Sequence, residues 1–228
     1  KFTLLERDGF IVRMENHEAK IYGPMVLDLL SRAKSQLAAK YEVVLQEPIY
    51  VDIYPQQQDF AIRTFGLPGG AGFLGVCFGQ VITMNSPASQ GASPSNWQSV
   101  LWHEFCHVVT LSKTNNRMPR WLSEGISVYE ERQAHPAWGQ RMTLDFRKMI
   151  LDEKELTPVS RLSAAFLRPK SANHLQFAYY ESSLVVEFLI ERHGLETLNR
   201  VLTDLGTGLT INDALERHVG SLRALDQE

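Results

Sequence analysis

Residues 97–111, WQSVLWHEFCHVVTL, decide how this chain is read. Apolar side chains at Trp97, Val100, Leu101, Trp102, Phe105, Val108, Val109 and Leu111 recur at helical spacing and leave little of the circumference polar. Ser95, just after Pro94 and three residues before Gln98, forms a capping box that opens the helix. A helix apolar on most sides is a buried one. It does not carry His103, Glu104 and His107 in its middle without partners for them.

The same stretch divides the chain. Upstream, residues 9–22 alternate weakly and predict a hairpin or pair of strands. Residues 24–41 carry a helical repeat, and residues 49–54 (IYVDIY) alternate as a strand ended by Pro55. Residues 66–96 are rich in Gly, Pro, Ser and Asn, and a loop of that length is usually functional. Inside it, residues 73–84 (FLGVCFGQVITM) predict a strand containing Gly75 and Gly79. Glycines there mark either close approach by another backbone or a bulged edge. Downstream, helices are predicted at 119–133, 138–151, 173–193 (stopped by Gly194), 195–205 and 211–218. Strands first and helices afterwards give an α+β fold class.

Composition narrows the function. The chain has 228 residues, 44% hydrophobic and 21% charged, which is ordinary globular usage and excludes disorder, collagen and a continuous coiled coil. A net charge of −3 without a basic run gives no electrostatic footprint for nucleic acid or an anionic membrane. No apolar stretch approaches the roughly 18–20 residues of a membrane span. Two cysteines, Cys77 and Cys106, cannot build a disulfide framework and read as reduced, packed thiols. The chain begins at Lys1 rather than Met, which reads as a trimmed N-terminus. The compartment stays open, export to a bacterial periplasm being one option.

His103-Glu104-Phe105-Cys106-His107 is an H-E-x-x-H sequence. Four residues is just over one helical turn, so both imidazoles leave the same face with roots about 6 Å apart. That suits one Zn²⁺ gripped by two neutral imidazoles at about 2.0–2.1 Å. Glu104 stands about 100° round the helix, where it can take a proton from the water such an ion activates. Cys106 points elsewhere and reads as packing. A catalytic zinc has a third protein ligand, and Glu124, Glu130 and Glu131 are candidates. Glu124, in Pro119–Gly125 (PRWLSEG), is the choice. Ser123, Gly125 and Ser127 would let its helix pack close to the first, whereas Glu130 and Glu131 belong to a charged run expected on a solvated face.

HEFCH followed by PRWLSEG, with 16 residues between His107 and Glu124, resembles the gluzincin metallopeptidases, specifically the bacterial peptidase-MA-like domains. FGQVITMNSP (78–87), AYYESSLVVEFLIERHG (178–194) and TINDALERHVG (210–220) are similar to that family's cleft-edge strand, Y-x-x-S helix and closing helix, so the resemblance spans about residues 70–220. It implies one zincin-like domain over 1–228 with two lobes: residues 1–112, mixed sheet plus the motif helix, and residues 113–228, helical and carrying the third ligand. It implies a zinc peptidase with one Zn²⁺ per chain on His103, His107 and Glu124, and with Glu104 as general base. Tyr179, paired with Ser182 in the family pattern, becomes the second donor to the oxyanion. Tyr180 is the adjacent alternative, and His174 and His193 are rivals. A peptide or protein substrate would add as a strand along residues 73–84, with Gly75, Cys77, Gly79 and Asn85 of the exit turn as contacts. Some gluzincins place an Asp four residues after the ligand Glu; here that position is Val128. Two other readings compete: a catalytically latent zincin-fold binding or scaffolding module of a larger protein, and a purely structural zinc, which the open fourth position argues against.

Overall fold

The computed structural model describes residues 1–67, 73–90 and 96–227. They divide into two compact units, Lys1–Ser112 and Lys113–Glu228.

The first unit is built on a five-stranded sheet of order β1-β2-β3-β5-β4. The strands are β1 (Phe2–Arg7), β2 (Phe10–Glu15), β3 (Ile49–Tyr54), β4 (Gly75–Phe78) and β5 (Val81–Asn85). The three central strands run parallel, and β1 and β4 pair antiparallel at the two edges. Strict alternation puts Phe10, Val12 and Met14 of β2, Ile49, Val51 and Ile53 of β3, and Ile82 and Met84 of β5 on one fully buried face. Each such side chain removed from water contributes about 1.5–3 kcal/mol. Helix α1 (Asn16–Ala33), prolonged by a π-helical turn at Lys34–Ala38, crosses from β2 to β3, and α2 (Gln57–Phe65) leads from β3 towards the β4–β5 hairpin.

Helix α3 (Trp97–Lys113) lies on the buried face. Phe105 meets Phe10 edge-on with centroids 5.6 Å apart, Trp97 meets Tyr22 of α1, and Arg32 of α1 lies over the Trp102 ring. Its N-cap is Asn96, whose Oδ1 accepts from the backbone N–H of Gln98 and Ser99. The capping box expected from Ser95 lies outside the described residues.

Two expectations for this unit are corrected. Residues 16–22 are helical, because the Glu15 carboxylate accepts from the N–H groups of His17 and Glu18 and caps α1 there. Residues 75–85 are a hairpin rather than one strand. Gly79, at φ +65°, reverses the chain and folds β4 back along β5 with Phe78 opposite Val81 and Gly75 opposite Met84.

The second unit is helical: α4 (Arg120–Ala134), α5 (Leu144–Leu151), α6 (Leu162–Leu167), α7 (Ala172–His193), α8 (Leu195–Thr207), α9 (Ile211–His218) and α10 (Leu222–Leu225). Its centre is α4 against α7. A Cβ on Gly125 would come within 2.6 Å of the Ser182 carbonyl oxygen, so only glycine permits this approach. The contact differs from expectation, which gave the close approach at Gly125 to the motif helix; here α7 is the neighbour. Arg132 ties the same pair by donating to Ser183 and to the Glu187 carboxylate, at 2.8 and 2.7 Å. A second core joins α5 to α7 through Phe146, Met149, Phe177 and Tyr180.

Helix α5 starts later than the periodicity suggested. Gly139 takes φ +71° and breaks the run, and Thr143 then caps the helix through the Phe146 N–H. Glu130 and Glu131, expected on a solvated face, are buried. From Trp121 to Glu131 every residue of α4 except Glu124 is buried, so this stretch has no solvated face for them to occupy.

Candidate active site

On α3 the pattern of exposure isolates two residues. From Leu101 to Thr110 every side chain is buried except His103 and His107, whose rings lie one turn apart with centroids 4.8 Å from each other. The helical repeat alone dictates this: positions i and i+4 share a face, and the remaining faces are apolar and turned to the core. Glu104 sits 7% exposed beside them. The edge strand β4 runs directly against it. A Cβ at Gly75 would lie 2.8 Å from Glu104 Cγ and 3.0 Å from both Glu104 Oε1 and Val100 Cγ1. Gly75 thus marks a close approach, made by the side chain of Glu104 rather than by a backbone.

Cys77, two residues along on the same face of β4, donates to the Gly79 carbonyl, and neither cysteine is in a disulfide. Burial, reinforced by the nearby Glu104 carboxylate, pushes its thiol well above the usual range, so it behaves as a neutral, inert group. Gly79 forms the hairpin turn. Asn85 is fully buried, its amide donating to the Gln57 side chain and to the Phe73 carbonyl, where it fastens the strand's exit to α2. β4 is the terminal strand of the sheet, and among the described residues nothing pairs with its outer edge.

In the second unit Glu124 is the one residue between Trp121 and Glu131 that is not buried. Its Oε1 accepts from Arg120 Nε at 3.3 Å, one turn back on α4, and from Tyr179 Oη at 3.4 Å across on α7. Arg120 Nη2 also donates to Tyr179 Oη at 3.1 Å. Phe166 of α6 supports both partners, edge-on to the Tyr179 ring at 5.3 Å and beneath the Arg120 guanidinium at 5.3 Å. Burial, with the Glu124 charge adding to it and Arg120 opposing it, pushes the Tyr179 phenol up to about 12. The hydroxyl therefore keeps its proton throughout the neutral range, and here that proton is directed at Glu124 Oε1.

The alternatives to Tyr179 are otherwise engaged. Tyr180 stacks on Phe146 within the α5–α7 core. His174 pairs with Glu155 at 2.9 Å and with Ser171 at the start of α7, and His193 lies at the other end of that helix against Phe188. Sequence reasoning missed Arg120, although it stands inside the quoted PRWLSEG at i,i+4 from Glu124, a spacing that announces an ion pair. It also missed the buried carboxyl of Glu181, which accepts from the Thr157 N–H.

The first unit thus sets a helix-borne pair of histidines with an adjacent buried glutamate beside a mixed sheet with an antiparallel edge strand. The chain belongs to the Peptidase MA superfamily, whose family model matches residues 31–226. No curated protein matches it. Among the described residues no helix is long and apolar enough to cross a membrane.

Proposed function

We propose that this protein is a gluzincin-type zinc peptidase that hydrolyses peptide bonds, with His103, His107 and Glu124 as metal ligands and Glu104 as general base. The observation that carries the reading is the histidine pair of α3: between Leu101 and Thr110 only His103 and His107 are not buried, one turn apart and beside the buried Glu104. Glu124, which stands in the W-L-S-E-G motif of α4, completes the proposed donor set of two imidazole nitrogens and a carboxylate oxygen. Two imidazoles and one carboxylate suit zinc, and three protein ligands leave a position open, as catalytic zinc requires. Membership of the superfamily supports the same reading.

Zinc held there supplies Lewis acidity for the scissile carbonyl and makes water a nucleophile at neutral pH. The chain's own residues do the rest. Glu104, buried against Gly75, accepts the proton of the attacking water in this reading. It then delivers that proton to the leaving amine, which cannot depart as an amide anion. Tyr179, held protonated, donates to the oxyanion as the carbonyl carbon becomes tetrahedral. The substrate lies as an added strand on the outer edge of β4, and main-chain hydrogen bonds set the depth at which its scissile bond meets Glu104. Gly75 and Cys77 face Glu104 from that strand and Gly79 turns it, while Asn85 serves the site indirectly, by anchoring the exit of β5.

Metal removal tests this directly. Dialysis against a chelator is expected to abolish hydrolysis of a peptide library, and one equivalent of zinc to restore it. His103→Ala and Glu124→Ala should each lose stoichiometric zinc while far-ultraviolet circular dichroism is unchanged. Full activity in the metal-free protein would contradict the proposal.

A further inference from the structure

Arg120 holds two groups at once. Its Nε donates to Glu124 Oε1 at 3.3 Å, its Nη2 donates to Tyr179 Oη at 3.1 Å, and the guanidinium plane rests over Phe166. An exposed i,i+4 ion pair stabilises a helix by only about 0.3–0.5 kcal/mol, so stability does not account for a contact made from two nitrogens of one fork. The geometry has a chemical consequence instead. With Oε1 of Glu124 engaged by an N–H, the orientation of that carboxylate is restricted. With one lone pair of the Tyr179 oxygen engaged by a second N–H, the direction of the phenolic hydrogen is restricted too. A planar guanidinium restricts both from one rigid fork while lying flat on the Phe166 ring, whereas an ammonium is a rotatable point donor with neither the fork nor the plane.

We propose that Arg120 is a positioning residue that sets the third metal ligand and the oxyanion donor through one side chain. This rests on the peptidase reading above. Arg120 makes no contact with substrate in this role; it acts through Glu124 and Tyr179. Phe166 completes the device by bearing on both Arg120 and the Tyr179 ring.

The test compares wild type, Arg120→Ala, Arg120→Lys, Tyr179→Phe and the Arg120→Ala/Tyr179→Phe double variant. Zinc affinity is read by competition with a chelating dye, and kcat and KM with a peptide that the wild type cleaves. Loss of a group that orients a ligand weakens metal binding by roughly 10–100-fold. Arg120→Ala is expected to raise the zinc Kd at least about 10-fold. It should lower kcat with KM little changed when Tyr179 is present, and have little further effect on kcat in the Tyr179→Phe background. Arg120→Lys should show the same loss of zinc affinity, and it stands in if the alanine variant does not fold. Wild-type zinc affinity in both Arg120 variants overturns the inference and leaves the peptidase reading intact. So does an equal kcat loss from Arg120→Ala with and without the Tyr179→Phe change. A wild-type protein that binds no zinc overturns the peptidase reading, and this inference with it.

Discussion

Replacing Tyr179 by Phe removes one hydroxyl and leaves the ring against Phe166. Loss of an oxyanion donor is expected to cost about 100–1,000-fold in kcat. Tyr180→Phe is the matched control, because Tyr180 is stacked in the α5–α7 core and should leave kcat within a few-fold of wild type. Steady-state kinetics on the pair checks both statements. Glu181 makes a prediction of a different kind. It is 3% exposed, and burial pushes its carboxyl up to about 7 despite the bond from the Thr157 N–H. A carboxyl raised in the folded state binds more protons there than in the unfolded chain. Stability is therefore fully present below the ordinary carboxyl range and is lost as pH rises towards about 7. Glu181→Gln keeps an acceptor for Thr157 and removes the buried charge. It should be more stable than wild type at pH 8, by something of the order of 3 kcal/mol, and nearly equal at pH 4.5. Denaturant melts at the two pH values decide it, and equal stability at pH 8 would contradict the burial argument.

At the scale of elements, two glycines set distances that no other residue allows. Gly125 lets α4 and α7 approach until a Cβ would clash with backbone, and backbone cannot step aside as a side chain can. Gly125→Ala is expected to destabilise the protein by about 1–3 kcal/mol, read by thermal or denaturant unfolding. Gly75→Ala meets Glu104 and the tip of Val100 instead. Its expected effect falls on catalysis, a large drop in kcat with the melting temperature nearly kept, since it displaces the general base. A variant with normal kcat would contradict the placement of Glu104 beside β4.

These elements also show where local signals fail. The run 49–54 and the helix 211–218 were readable to the residue, because each has one period and a clear stop at Pro55 or a cap at Thr210. The β4–β5 hairpin was not. An apolar run interrupted by glycine reads alike whether the glycine bulges or reverses the chain, and only pairing with β5 distinguishes them. Glu130 and Glu131 misled for the opposite reason: charge normally marks a solvated face, and burial of α4 is a tertiary fact.

For the whole molecule, the division into a sheet-bearing first part and a helical second part followed from the order of strand and helix patterns. The H-E-x-x-H motif was legible because helical spacing is local arithmetic, and W-L-S-E-G because it resembles a family motif. The network of Arg120, Tyr179 and Phe166 was not, since it joins residues 13, 46 and 59 positions apart in the chain, which no helical or strand period relates. Fold and family leave catalysis as the central claim, and Glu104 is the residue on which it turns. Glu104 is not proposed as a ligand, so Glu104→Gln separates chemistry from metal binding. The direct measurement is zinc content together with cleavage of a mixed peptide library, wild type beside Glu104→Gln. The expected result is one zinc per chain in both proteins and cleavage by the wild type alone. Cleavage by both would contradict Glu104 as general base, and zinc with cleavage by neither would contradict catalysis and favour a latent binding module.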